Sequence, residues 1–565
     1  MAGVGGVAEA AGAAGAEEVV GVAGAAERVG SLGEVAAAVP GKSVGGTPAA
    51  PGVGVGPKRE LRRAAVVVPV EESRGAAVET ARMQDALAAA RREIGRQRGE
   101  IFRAHLALLD DDAILAEVWG RIAGGATAPE AWVAATGRVA GEFAALADPY
   151  LRERGADVRA VADQVARVLL GLPRGAVSGD GVVFAEELTP AEAAGLDAGR
   201  VAGVVQRAGS PTSHATIVLR GRGIPAVVGW PGPDVAEGTP VALDGSTGEV
   251  VVDPPPGVLR RFEERAAAAR AEQRASVARA GAAAVTRGGV PVAVGANVGS
   301  VGDARVAAAN GADLAGLVRT EFLFLGRDSA PDVDEQVSVY LSIAEALGGR
   351  RITLRTLDVG GDKPLPYVPM AAEANPFLGV RGIRHSLAHR ELFAAQLRAI
   401  VEVARRTPVS VMFPMVTSVD ELVAARRVLD EAGGVVPGLR VGIMIEVPAA
   451  ALTAARFTPY VDFVSVGTND LTQYTLAAER GNPALAGLAG ARDPAVLRLI
   501  GAVCREIGTG VTVAVCGELA ADGTAVPELL GLGVRELSVA PPRVPAVKDA
   551  VRRCPDPLPA PTAPV

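Results

Sequence analysis

Histidine, cysteine and aromatic residues are all scarce in this chain, and each scarcity closes off a class of function. The three cysteines, Cys504, Cys516 and Cys554, fall late and have neither paired nor metal-ligand spacing. A disulfide scaffold and a zinc module are therefore excluded, and a reducing, cytoplasmic setting fits best. Aromatic residues make up 3% of the chain, too few for stacking surfaces, and the formal net charge is −7. Both argue against a nucleic-acid binder. No uninterrupted apolar run reaches the ~18 residues a membrane-spanning helix needs. The N-terminus carries Glu17 and Glu18 within its apolar stretch and no basic segment before it, so no secretory leader is expected. What the chain does have is Ala, Gly and Val in quantity: 49% hydrophobic residues over 565 positions supply several aliphatic cores, and the length predicts two to four domains.

Composition divides the chain. Residues 1–45 are a low-complexity Ala/Gly/Val/Glu extension, expected to be poorly ordered. Within it AAAVPGKS (Ala36–Ser43) ends like a phosphate-binding loop, but Ala36 stands where that motif needs Gly and no strand precedes it. GVGVGP (Gly52–Pro57) runs into PKRE rather than a helix and reads as the approach to a first strand. Apolar residues then recur at three and four positions, so 75–171 is expected to be a helical insertion. It interrupts a compact α/β domain made of 46–74 and 172–253, whose strand-like runs VVFAEEL, VAGVVQRAG, PAVVGW, VALDG and EVVVD alternate with turn signals. A charged, Ala-rich linker helix covers 254–285, and a Pro-rich tail covers 554–565.

Between 286 and 553 one theme repeats. VPVAVGANV, AGLVRTEFLF, RITLRTLDVGGDK, VSVMFPMV, RVGIMIEVPA, DFVSVGTNDL, VTVAVCGEL and RELSVAP are eight buried-strand candidates, most of them separated by helical stretches. Eight β/α units in this length predict a (β/α)8 barrel of the TIM type, with a doubly wound sheet as the alternative. Polar residues gather where the apolar strands end: Asn297, Arg319, Arg355, Asp358, Glu446, Asn469, Asp470 and Cys516. In a barrel those ends share one face, so residues far apart in sequence converge. Arg319, Arg355, Lys363 and Arg381 form a cationic set suited to phosphate and carboxylate. Glu446 and Asp470 are hard oxygen ligands of the kind Mg²⁺ prefers. Singly, each arginine also fits an ordinary salt bridge, and Cys516 also fits a small buried hydrophobe; on this face it would instead be a proton donor to carbon.

One of only four histidines, His214, sits in GSPTSHATIVLRGRGIPAVVG, a small-residue turn between two apolar runs. Imidazole is nucleophilic near neutral pH. A helix beginning at Ser213 or His214 would turn free N–H groups toward a phosphate on the ring, with hydroxyls from Thr212 and Ser213 beside it. His105, His385 and His389 lie elsewhere, so a histidine metal site lacks partners; the HxxxH pair His385/His389 reads as surface or barrel-flank residues.

These motifs together resemble Enzyme I of the bacterial sugar phosphotransferase system, the phosphoenolpyruvate–protein phosphotransferase family. The resemblance covers residues 46 to 550 in order: TPAAPGVGVGP, EIFRAHLALLDDDAIL, DPYLRERGADVRAV, TSHATI, LVRTEFLF, LRTLDVGGDKPLPY, NPFLGVRGIR, MFPMV, GIMIEVPAA, SVGTNDLTQYTLAAERGN and CGELA. It implies that phosphoenolpyruvate binds the barrel with Mg²⁺, and that its phosphoryl group passes to Nε2 of His214 and then to a histidine of the small carrier HPr. Arg319, Arg355 and Lys363 would hold the phosphoryl group; Arg480 and the Asn469 region the carboxylate; Glu446 and Asp470 the metal. Cys516 would protonate the enolate to pyruvate, and Thr189 would pair with the resting histidine. The helical insertion would dock HPr, with His105 on or near that surface, and the enzyme would be a cytoplasmic homodimer joined through the barrel.

Ser210-Pro211 in the turn and Glu479 before Arg480 depart from the family pattern, and with the Pro-rich ending after Arg553 the family's terminal helix is expected to be absent or replaced. The nearest rival enzymes, pyruvate phosphate dikinase and phosphoenolpyruvate synthase, need an ATP-binding domain for which the sequence shows no candidate. Two more distant readings are a component serving a specialised HPr, as in multiphosphoryl transfer, nitrogen or dihydroxyacetone systems, and a non-catalytic HPr-docking regulator.

Overall fold

The structure, a computed structural model, describes residues 43–555 apart from 70, 96–104, 107, 146–148, 174, 212, 326, 328, 361–364, 366, 369, 372, 480–484, 486–489, 491 and 509. The expectations for 1–42, for the 556–565 part of the tail, and for Lys363, Arg480 and Thr212 lie outside these residues.

The first sheet has nine strands: β1 (Ser43–Gly45), β2 (Thr47–Ala50), β3 (Val53–Arg62), β4 (Ala176–Val177), β5 (Gly181–Ala185), β6 (Val201–Gln206), β7 (Ala226–Val228), β8 (Pro240–Asp244) and β9 (Glu249–Val252). Their order is β1-β9-β8-β3-β5-β6-β7-β2, with β4 on β3. β3 joins the two halves: Val53–Pro57 pairs antiparallel with β8, and Lys58–Glu60 pairs parallel with β5. The early strand does return to the α/β domain. That domain also starts slightly sooner than expected, because Ser43–Gly45 pairs with Glu249–Val251. The two-residue period of the strands sorts side chains into separate cores. Val183, Val204 and Val228 go to one face; Val182, Val205 and Val227 go to the other.

Between β3 and β4 the chain forms α1 (Ala76–Ile94), α2 (Asp112–Ala123), α3 (Ala128–Ala145) and α4 (Pro149–Leu170), the expected helical insertion. Their apolar faces meet around Met83, Leu87, Ile122, Trp132, Val161 and Val165. Asp111 starts α2 by accepting from the N–H groups of Ala113 and Ile114, each at 3.0 Å, which satisfies two otherwise orphaned donors. In the α/β domain, α5 (Pro190–Gly195) and α6 (His214–Gly221) follow β5 and β6.

The linker helix α7 (Pro256–Arg279) is held at both ends. Near its start Arg265 pairs with Asp244, and Phe262 packs on Ala242 and Val251. Near its finish Ser276 and Arg279 both donate to Asp549 Oδ2, at 2.5 and 2.6 Å.

A hairpin strand β10 (Ala284–Val285) leads into β11 (Pro291–Val298), β12 (Ala315–Arg319), β13 (Ile352–Arg355), β14 (Val409–Phe413), β15 (Leu439–Ile445), β16 (Phe463–Gly467), β17 (Thr512–Cys516) and β18 (Glu536–Val539). β11 to β18 pair parallel in sequence order, and β18 returns to β11. This is a closed eight-stranded barrel, so a doubly wound sheet is excluded. Each of the eight sequence runs named above contributes one strand. Among the described residues no helix is long and apolar enough to cross a membrane.

Candidate active site

Closure of the barrel brings the strand ends together. Arg319 and Arg355 are the last residues of neighbouring strands and face each other in register. Glu446 directly follows β15, Thr468–Asp470 directly follow β16, and Cys516 ends β17. All eight residues that the sequence placed at strand ends line one cleft, together with Arg381, Leu317, Met444 and Gly517. This is the C-terminal face, where β/α barrels carry their chemistry.

The cleft is densely charged. Buried Arg355 donates to Glu321 Oε1 at 2.5 Å and pairs with Asp358 at 3.1 Å. Arg381 donates to both oxygens of Asp358, at 3.1 and 3.2 Å, and reaches Asp470 Oδ1 at 3.2 Å. Burial alone would ease the protons off both guanidinium groups, but Glu321 and Asp358 at Arg355, and Asp358 and Asp470 at Arg381, hold them protonated. Glu446 feels the opposite. Burial, then repulsion from Asp470 and Asp358, pushes its carboxyl well above the usual carboxylate range. A buried carboxylate crowded by two others is a position that favours a cation.

Glu446 is aimed by strained backbone. The Met415 N–H donates to Glu446 Oε1 at 2.7 Å, from a residue with φ of 57°. A non-glycine residue costs about 1–3 kcal/mol there, so neighbouring structure must enforce it. Among the described residues there is no group of three or more Asp, Glu, His or Cys side chains able to hold a metal. Glu446 and Asp470 fit the usual Mg²⁺ arrangement, one or two carboxylates with substrate oxygens and water completing the shell.

Cys516 is buried among Leu317, Met412, Met444 and Phe463. Ser465 Oγ donates to its sulfur at 3.5 Å, and the thiol faces Val466 O at 3.6 Å. Burial pushes the thiol up to about 11, so it stays protonated at neutral pH. Asn469 Oδ1 accepts from the Glu518 N–H at 3.2 Å, and Asn297 Oδ1 from Ser538 Oγ at 2.7 Å. Arg319 is exposed and, among the described residues, has no ion-pair partner. That leaves its guanidinium available to an anion.

His214 is the first residue of α6, and Ser213 is the N-cap, accepting from Thr216 N at 3.4 Å. The expected helix start is therefore present. Thr216 Oγ1 donates to Ser210 O at 3.0 Å, and Arg220 ties Ala49 O to Pro211 O at 2.7 and 3.0 Å. These bonds fix the turn. The His214 side chain is 45% exposed, and its Nδ1 lies 3.5 Å from Asp157 Oδ1 on α4.

Three expectations change here. His105 is not a surface residue: its side chain is 2% exposed, because it is buried within the helical block with Nε2 3.5 Å from Asp157 Oδ1. Thr189 is not seen pairing with the histidine. It caps α5, where its hydroxyl donates to Glu192 Oε2 at 2.9 Å and accepts from the Glu192 N–H, and Asp157 takes the place beside the ring. Of the two alternatives for His385, surface or barrel flank, the surface one fails, and His389 stands at the break between two helices. His385 is buried, with the ring centroids 4.3 Å apart.

Sequence reasoning missed Asp157, Glu321 and Met415. Glu321 lies two residues after Arg319, and that spacing was a usable signal. Asp157 and Met415 lie in the quoted stretches DPYLRERGADVRAV and MFPMV, but their roles could not be read there, because Asp157 meets His214 across subdomains and Met415 contributes only its backbone.

The profile of the PEP-utilising enzyme PEP-binding domain matches residues 273–555, the N-terminal domain profile 45–154 and the mobile domain profile 177–248. A phosphoenolpyruvate-protein phosphotransferase of Haloferax volcanii is 42% identical over 505 residues, covering 83% of this chain and 86% of the relative. The chain belongs to the phosphoenolpyruvate–protein phosphotransferase family. A relative of the same name from Geobacillus stearothermophilus is 36% identical over 543 residues, covering 89% of this chain and 91% of the relative. A multiphosphoryl transfer protein of Rhodobacter capsulatus is 42% identical over 468 residues; the match covers 81% of this chain but 56% of that longer protein.

Proposed function

We propose that this enzyme transfers the phosphoryl group of phosphoenolpyruvate to Nε2 of His214 and from there to a histidine of HPr, the first step of sugar uptake by the phosphotransferase system. The observation that carries this reading is the pairing of two sites. One is a barrel mouth holding fixed cations, three carboxylates and a protonated thiol; the other is an exposed histidine at a capped helix start.

Arg319, Arg355 and Lys363 receive the phosphoryl oxygens, and Asn469 and Arg480 the carboxylate. Arg381 holds Asp358 and Asp470 in place until the substrate enters. Glu446 and Asp470 would hold Mg²⁺, which supplies charge neutralisation at the phosphoryl and enol oxygens. The Nε2 lone pair forms the N–P bond as the P–O bond to the enol breaks, and the electron pair passes to the enolate oxygen. Carbon then takes the Cys516 proton, giving pyruvate and a thiolate that solvent reprotonates. The phosphoryl oxygens on His214 face the α6 N-terminus, where backbone N–H groups favour an anion.

The helical block α1–α4 docks HPr, and α7 carries the α/β domain between barrel and carrier, a gating step of the kind that limits many enzymes. The protein works as a cytoplasmic homodimer through the barrel. The Rhodobacter match supports one second reading, service to an HPr unit within a multiphosphoryl system. Pyruvate release with Mg²⁺ and purified HPr tests the proposal. Without HPr a single pyruvate per enzyme is expected, and with HPr one further pyruvate per HPr phosphorylated; sustained HPr-independent turnover, or no pyruvate at all, would overturn it.

A further inference from the structure

The carboxylate of Asp157 stands between two of the chain's four histidines. Its Oδ1 is 3.5 Å from His214 Nδ1 and 3.5 Å from His105 Nε2. It is supplied by α4 of the helical block, whereas His214 opens α6 of the α/β domain. The Asp157 and His105 side chains are buried, and His214 is half-exposed. Burial by itself would raise the Asp157 carboxyl, but the two imidazoles facing it, His105 and His214, outweigh it and hold the group down to about 2. Asp157 is therefore a carboxylate at every pH at which an enzyme works.

An ionised carboxylate only accepts hydrogen bonds, so each ring nitrogen facing it must carry the proton. For His214 this places the proton on Nδ1 and the lone pair on Nε2. A neutral imidazole has one nucleophilic nitrogen, and its identity is set by the hydrogen bond the other nitrogen makes. His105 faces the same oxygen at the same distance and limits its rotation. Nucleophile, charged orienter and buried brace stand in the order seen wherever a ring must be held for attack, and hydrogen bonds of this kind are commonly long before substrate binds.

We infer that Asp157 is a positioning residue that fixes His214 as the Nδ1–H tautomer with Nε2 free, and that buried His105 acts by bracing Asp157 rather than by touching the carrier. The helical block thus completes the nucleophile as well as offering a docking surface. The inference rests on His214 being the phosphoryl acceptor.

The test is imidazole ¹⁵N NMR of the full-length, ¹⁵N-histidine-labelled protein, with His214 assigned by loss of its signal in His214→Ala. The native ring should show Nδ1–H. Asp157→Asn keeps the volume but can donate as well as accept, so a mixture of tautomers should appear. Phosphorylation by phosphoenolpyruvate should slow by about tenfold or more, with KM unchanged. Asp157→Glu should recover part of the rate, and His105→Gln, a check should Asp157→Asn fold poorly, should show the same mixture in weaker form. A native Nε2–H ring, or Asp157→Asn with native tautomer and rate, would overturn the inference. Absence of any label on native His214 would instead remove the parent reading, and the NMR result would still report the tautomer.

Discussion

Replacing Cys516 by alanine separates chemistry from folding. The thiol is packed against Leu317, Met412, Met444 and Phe463, and the substitution deletes one buried heavy atom. Deletions of that size cost about 1 kcal/mol, which in a domain of this size lowers the melting temperature by about 2–4 °C. The chemical effect is larger. A positioned acid contributes about 10²–10⁴-fold, equivalent to about 3–5 kcal/mol of barrier at 1.36 kcal/mol per decade. The thiol, raised to about 11 by burial, is protonated throughout the neutral range. Its contribution should therefore be flat from pH 6 upward and fail only as pH nears that value. The assay is pyruvate release at saturating HPr and phosphoenolpyruvate, with a thermal melt on the same preparation. Turnover should fall by about 10²-fold or more while the melt barely moves, and Cys516→Ser should lie between. An alanine variant turning over within threefold of native would refute Cys516 as the proton donor.

Three further outcomes follow from other parts of the fold. At Gly517, φ of 103°, an added methyl would stand 2.4 Å from Thr468 Oγ1 and 2.9 Å from Asn469 Oδ1; Gly517→Ala should raise KM for phosphoenolpyruvate about tenfold or more, and an unchanged KM would count against Asn469 at the carboxylate. Buried Glu79 accepts from Ala128 N at 2.9 Å, Arg74 N at 3.3 Å and Arg82; Glu79→Ala should destabilise the helical block by about 1–3 kcal/mol, read as a lower urea midpoint by fluorescence of Trp119 and Trp132. Burial, then neighbouring His389, lowers His385 from 6.5 to about 4. Between those values the unfolded chain binds a proton that the native state refuses, so stability should fall as pH drops from 6.5 to 4; His385→Leu should lose that part of the slope in a pH series of melts.

The barrel was legible because its strands are buried on both faces and read as short apolar runs, and because closure forces their polar ends into one place. Arg319, Arg355, Glu446, Asp470 and Cys516 converge for that reason alone. The helix start at His214 was legible from Ser213 and the small-residue turn. Burial within the helical block was not: His105 lies in a stretch whose apolar period gives no sign that a polar ring turns inward toward Asp157. Thr189 was assigned a partner by motif, while its own Glu192, three residues on, makes a local capping box that claims the hydroxyl. Local hydrogen bonds of this kind outcompete distant ones at helix starts. The contact between Asp157 and His214 depends on how two subdomains dock, which no local pattern encodes.

The most direct test is incubation of the purified protein with radiolabelled phosphoenolpyruvate and Mg²⁺, beside His214→Ala. An acid-labile, base-stable label is expected on the native chain, with none on the variant, loss when Mg²⁺ is chelated beforehand, and passage to HPr. Label retained by His214→Ala, or none on the native protein, would contradict His214 as the phosphoryl acceptor.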